Sequence, residues 1–260
     1  MIKQLFSQCD TLLESLRHDH YSRRVKSHYY AYKTEYDFSR LFEISREDRA
    51  VGAVAVFNSS MIVACVEGES FDSETLSELA GFIGMIAPAV VELPVEFAPG
   101  LRPLLEEEYS TDHRTQFEFV SKNELPDLDV NELPKLDDVF EVLSRSFPSL
   151  AQSYELWITD TSHRVRRGLS QSFLLGDYTT ATIQYIVDKV ALIGHVATVP
   201  ERRGEFHARR LLYWIGERLT RDGFTVRLFA RPHRVSYYEE IGFKAISHDI
   251  VFERKDVDDD

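Results

Sequence analysis

Cysteine is nearly absent: Cys9 and Cys65 are the two in 260 residues, with no Cys-x-x-Cys and no metal-ligand spacing around either. That excludes a disulfide framework and a structural zinc site, and it points to a reducing compartment. Long apolar runs are missing too, and nothing approaches the roughly eighteen residues that span a bilayer. The opening MIKQLFSQCDTLLESL interleaves charge with apolar residues and lacks a small-residue cleavage site, so an amphipathic helix is expected there and no signal peptide. These absences place the chain as a soluble, cytoplasmic protein.

Positive charge is also short. Thirty Lys and Arg stand against 43 Asp and Glu, a net charge of −13, and the chain closes on DVDDD, read as a solvated, disordered tail. Such a surface disfavours nucleic acid and anionic membranes as partners and tilts toward cationic small molecules or basic peptides. There is no Gly-x-Ser-x-Gly, neither cysteine has a histidine close by in sequence, and no His/Asp/Glu spacing suits a metal. Serine, cysteine and metal chemistry therefore lack support, and no metal is expected.

What is present reads as two domains. The length exceeds the usual single domain, and SKNELPDLDVNELPKLDD (121–138) replaces apolar periodicity with prolines and acids, as a linker does. Domains are expected at 1–125 and 126–260. In the first, AVGAVAVFNSSMIVACVEG predicts two strands around an Asn-Ser-Ser turn, DSETLSELAGFIGMI a helix capped at Asp72 or Ser73, and AVVELPV a short strand. In the second, a helix at about 136–147 precedes the partly helical SYELWITDTSHRVRRG and a strand near 170–176. ATIQYIV and VALIGHVATV form a hairpin turning at Asp188-Lys189. A helix over about 204–221 lines up Ala208, Leu211, Leu212, Ile215 and Leu219 and stops at Gly223. FTVRLFA, VSYYEEI and ISHDIVFE then read as strand, short helix and strand. LLEEEYSTDHRTQFEF from Leu104 echoes YYEEIGFKAISHDIVF from Tyr237, which raises an internal duplication.

The chemistry concentrates in VATVPERRGEFHARRLL (196–212), a buried strand breaking through Pro200, two arginines and Gly204 into an amphipathic helix. A helix start leaves several N–H groups unpaired and carries a partial positive charge, so it can hold a diphosphate on backbone donors. Taken alone, the segment reads more readily as an ordinary basic helix with solvated arginines. YYEEIGF follows at a fitting distance, between further predicted strands.

With that second motif in place, residues 190–244 resemble the GNAT superfamily of acyl-CoA N-acyltransferases. The family pattern is a strand, Q/R-x-x-G-x-G/A opening a long helix, another strand, and a short helix ending in Y-x-x-x-G-F. Arg203-Gly204-Glu205-Phe206-His207-Ala208 matches the first part and Tyr238-Glu239-Glu240-Ile241-Gly242-Phe243 the second. The resemblance implies an α/β (α+β) fold with a mixed, mostly antiparallel central sheet flanked by helices, in two tandem domains of which the N-terminal one is degenerate. It implies acetyl-CoA as cosubstrate. The pantetheine arm would lie on the backbone of Val196, Ala197, Thr198 and Val199, and the phosphates at Arg202, Arg203, Gly204, Glu205, Phe206, His207 and Ala208. Tyr238 matches the family's frequent general acid. Two residues depart from the pattern: Phe206 stands where the first motif glycine is usual, and Arg231 where asparagine is frequent.

Direct acyl transfer to an amine needs a neutral amine and a proton for the leaving thiolate. Tyr238 suits the second task, with packing under the helix as its alternative. His195, on the central strand, suits the first, with a satisfied core histidine as its alternative. His163 and Arg164 fall where the family builds its acceptor pocket, and His233 lies at the far edge of the site. On an acidic protein such groups are more often solvated or salt-bridged. Trp157 and Tyr154 line a pocket or belong to the core. The expected partner is an amine-bearing small molecule or peptide, with a homodimer left open. The reading from a different class is a non-catalytic acyl-CoA-binding or interaction module, kept for its fold after Phe206 weakened the site.

Overall fold

The computed structural model describes residues 1–7 and 9–255; the DVDDD tail lies outside the described residues. The chain divides into two compact units, one of Met1–Arg114 with the C-terminal segment from His248, the other Thr115–Ser247. The expected 125/126 boundary falls inside the second unit. A proline-rich stretch marks a break in regular structure, which is a different thing from the point where a strand changes partners.

In chain order the first set of elements is β1 (Ile2–Leu5), α1 (Asp10–Ser15), α2 (His20–Tyr32), β2 (Ser39–Arg46), β3 (Arg49–Phe57), β4 (Ser60–Cys65), α3 (Ser73–Ile86), β5 (Val90–Glu92), α4 (Ala98–Leu105) and β6 (Tyr109–Phe119). The second is β7 (Val130–Asn131), α5 (Leu136–Ser146), α6 (Tyr154–Arg166), β8 (Gln171–Leu175), β9 (Thr179–Val187), β10 (Val190–Thr198), α7 (His207–Arg221), β11 (Thr225–Ala230), α8 (Val235–Ile241) and β12 (Phe243–Arg254). The order of strand and helix is the same in both sets. The sequence echo lands on equivalent places, the end of α4 into β6 and α8 into β12, so the repeat extends to the whole element order.

In the first unit the strands run β1-β2-β3-β4-β5-β12, and in the second β6-β11-β10-β9-β8-β7. In each order one pair is parallel, β4 with β5 and β10 with β11, and the other pairings recorded are antiparallel. Both units are thus mixed, mostly antiparallel sheets flanked by helices. The β9–β10 turn is the expected one: Asp188 and Lys189 both have positive φ, 51° and 57°, matching a tight hairpin between Val187 and Val190.

Helix α7 buries Leu211, Leu212, Ile215 and Leu219 against Phe173, Ile183 and Leu228. Each such side chain contributes about 2 kcal/mol as an upper figure. Gly216 lets the helix approach Phe119, because a Cβ there would meet that ring at 2.6 Å. Three expectations are corrected. The N-terminal segment is not one helix: Ile2–Leu5 pairs as a strand with Leu41–Ile44, and only Asp10–Ser15 is helical, because the free edge of β2 outweighs local periodicity. Residues 154–166 form a continuous helix. Helix α7 begins at His207 and not near 204, because Gly204 and Phe206 sit at φ 87° and 60°, outside helical space.

Candidate functional site

Strands β10 and β11 pair in parallel from Val190–Thr225 to Ile193–Leu228 and no further. Beyond that point each keeps its outer neighbour. Ala197 and Thr198 stay paired with Thr180 and Thr179 of β9, while Phe229 and Ala230 stay paired with Gln116 and Thr115 of β6. The strands therefore splay, and among the described residues β10 has no strand partner on its β11 side after Ile193. A β-bulge between Gly194 and Ala197 marks the divergence, with His195 at φ 47°.

The turn between β10 and α7 is held by its own arginines. The Arg203 guanidinium donates to the Thr198 carbonyl at 3.1 Å and the Ser146 carbonyl at 3.3 Å. Arg202 lies over the Tyr178 ring at 4.7 Å and pairs with Glu205 at 3.3 Å. Glu205 also holds His207 Nε2 at 2.9 Å, and the His207 ring packs on Tyr178 with centroids 4.4 Å apart. Phe206 is the residue before α7, and no side chain among the described residues caps this helix. Its first-turn N–H groups are left for another acceptor.

These pieces surround a cavity of about 720 Å³. Val196, Ala197 and Thr198 form the strand wall, Arg202, Arg203 and Gly204 the turn, and Phe206, His207, Ala208 and Arg209 the helix start. Arg234, Tyr237 and Tyr238 close the far side from α8 and the turn before it. His207 is 8 % exposed, and among the described residues its buried Nδ1 has no hydrogen-bond partner. Tyr238 packs its ring against Tyr237, Phe117 and Phe243. Burial pushes its phenol above the ordinary value, with Tyr237 adding to the rise and Arg234 opposing it. The group therefore stays protonated through the neutral range and can donate a hydrogen bond or a proton.

Ten of the residues singled out in the sequence meet at this wall: Val196, Ala197, Thr198, Arg202, Arg203, Gly204, Phe206, His207, Ala208 and Tyr238. Others do not. Val199 is buried, with its N–H on the Tyr178 carbonyl at 2.9 Å, and Glu205 stands behind the wall, binding Arg202 and His207. Arg231 and His233 are exposed outside the cavity, as is His195 on its bulge. On α6, buried Arg164 pairs with Asp160 at 2.7 Å, and His163 lies 3.3 Å from Arg167. The wall also holds Arg209, Arg234, Tyr237, Ser146 and Phe147, which sequence reasoning missed. Helical spacing could have found two of them, because Arg209 lies three residues after Phe206 and Arg234 four before Tyr238.

No protein-family model matches the chain, and no curated protein matches it in sequence. Solved structures do match. A GNAT-family acetyltransferase from Colwellia psychrerythraea aligns at TM-score 0.59 and 13 % identity over 98 % of this chain and 99 % of its own. A GCN5-related N-acetyltransferase from Sphaerobacter thermophilus aligns at 0.62 and 16 % over 98 % and 95 %. A tandem GNAT protein from the clavulanic acid biosynthesis pathway aligns at 0.58 and 10 % over 97 % of each chain. Among the described residues no helix is long and apolar enough to cross a membrane. The repeated element order and these whole-chain alignments establish that the protein has the GNAT fold.

Proposed function

We propose that the second unit is an N-acyltransferase that takes acetyl-CoA and acetylates a primary amine on a small molecule or peptide by direct attack. The observation that carries this reading is the convergence, in one cavity, of an uncapped 15-residue helix start, an unpaired strand edge and a protonated phenol. The N–H groups opening α7, with Arg202, would hold the diphosphate. A helix end contributes about 0.3 to 1 kcal/mol to an exposed anion and up to ~2 when partly buried, so several such donors are needed together. The backbone of Val196–Thr198 would align the pantetheine arm, and the coenzyme supplies the activated acyl group.

Tyr238 then serves as proton donor to the departing thiolate. His195, exposed on the bulge beside the splay and outside the cavity wall, is the candidate base for the amine. The negative net charge favours a cationic acceptor reaching this unit. The test is calorimetric titration with acetyl-CoA, followed by thiol release with a panel of amines. Micromolar binding with turnover supports the reading. Binding without turnover on any amine favours the non-catalytic module, the reading that Phe206 in the glycine position keeps alive. Absence of binding sinks both.

A further inference from the structure

Phe206 is an odd residue to find where it is. A bulky side chain at φ 60° is strained, and the glycine frequent at this position would remove that strain. The ring is 65 % exposed and lines the cavity without filling it. It is also held in place. The Arg209 guanidinium sits 5.4 Å from the Phe206 ring and 5.4 Å from the Tyr237 ring, wedged between the two, and its Nη2 donates to Glu240 at 2.6 Å. A cation fixed on an aromatic ring orders the ring and leaves the remaining surface to solvent.

A ligand suited to this wall has two parts: a polyanion for the helix start and a planar group for the ring. Beside the helix start, the His207 ring lines the same wall, its Nε2 held by Glu205. On the coenzyme reading above, on which this inference rests, the diphosphate carries an adenosine. We propose that Phe206, backed by Arg209, is a stacking shelf for the purine base of the coenzyme. The residue that looks like an obstruction in the motif is then a specificity determinant: it makes binding depend on the nucleotide end of the ligand. Aromatic stacking tolerates any base, because every base has a π face, so the shelf selects a nucleotide over a bare pantetheine phosphate.

The test titrates the full chain, Phe206→Ala and Phe206→Tyr with two ligands, acetyl-CoA and S-acetyl-4′-phosphopantetheine, which lacks the 3′-phosphoadenosine and one phosphate of the diphosphate. Residue 206 lies in an exposed turn, so the variants are expected to fold, and circular dichroism checks it. Phe206→Ala should weaken acetyl-CoA about tenfold or more, the usual range for a lost stacking partner, and leave the phosphopantetheine thioester unchanged. Phe206→Tyr should bind both as the native chain does. Equal loss for both ligands, no loss, or a gain in Phe206→Ala overturns the shelf while native acetyl-CoA binding keeps the coenzyme reading. Native protein that binds neither ligand overturns the coenzyme reading and the shelf with it.

Discussion

Two helix starts occupy equivalent places in the repeated element order, and they are finished in opposite ways. At α3, the residue before the helix is Asp72, whose carboxylate accepts the Thr75 N–H at 2.9 Å and the Thr75 hydroxyl at 2.7 Å. Those hydrogen bonds, with Arg46 at 3.1 Å, hold its pKa down to about 2. At α7, the equivalent residue is Phe206, and among the described residues no side chain caps the helix. The strand edges differ in the same sense. In the first unit Leu16 bridges to Val66: Arg17 donates its N–H to the Cys65 carbonyl at 3.1 Å, and Glu67 donates to the Ser15 carbonyl at 2.9 Å. Val66 gives its own N–H to Val51 of β3, so the bridge lies on the opposite side of β4, where β5 has already left. In the second unit the end of α5 instead lines the cavity, with Phe147 42 % exposed against 1 % for Leu16. The chain's own carboxylate and backbone thus stand in the first unit where an anion and an extended arm would go. One fold can be closed or open at its cleft without any change in element order, and one coenzyme per chain is expected.

The sharpest way to break this contrast is to finish α7 as α3 is finished. Phe206→Asp places a carboxylate at the uncapped start and should weaken acetyl-CoA by about 100-fold through charge repulsion and competition for the N–H groups. Calorimetry reads the loss, and unchanged affinity would mean that the helix start does not hold the phosphates. Next in size, Tyr238→Phe should lower kcat for amine acetylation by roughly 100-fold while leaving coenzyme affinity near native, the signature of a lost proton donor. Full turnover across pH would remove the assignment.

Much of this was legible before the structure, and the gaps have a common cause. The α7 stripe, the Asp188-Lys189 hairpin and the Tyr238 motif are local patterns, each set by residues a few positions apart. Strand β1 was misread because four residues at a sheet edge take their state from Leu41–Ile44 and not from themselves. The closure of the first unit depends on Leu16 meeting Val66, a pairing no local pattern encodes. In the candidate site, Gly204 and the arginines were readable from the turn, whereas Phe147 reaches the wall from the end of α5 with no sequence signal.

A cluster of buried charges in the first unit gives a smaller effect. His20 Nε2 lies 3.2 Å from Glu92, and Arg114 bridges Glu92 and Asp249 at 2.5 Å each. Burial lowers the His20 pKa against the pull of Glu92. Burial pushes Glu92 up, but Arg114, Arg24 and His20 outweigh it and hold the carboxylate well below its usual range. Both folded values lie under the unfolded ones, about 6.5 and 4.3, so this stability is present above those values and is lost as pH falls. Trp157 and Trp214 both lie in the second unit, so tryptophan fluorescence reports that unit alone. On acidification from pH 7 to 4, far-UV circular dichroism should change before tryptophan fluorescence does. Coincident transitions would mean that the cluster does not set the acid limit.

The smallest effect tests how the first unit is closed. Asp72→Ala removes one helix cap and should lower Tm by roughly 2 to 4 °C in a chain of this size. It should not create a second coenzyme site, because the Ser15 carbonyl and Arg17 N–H still hold the edge of β4. Titration of Asp72→Ala with acetyl-CoA should therefore keep the native stoichiometry. A second equivalent bound would show that the carboxylate alone closes the first unit, and that the Leu16–Val66 bridge yields to a ligand once the helix start is free.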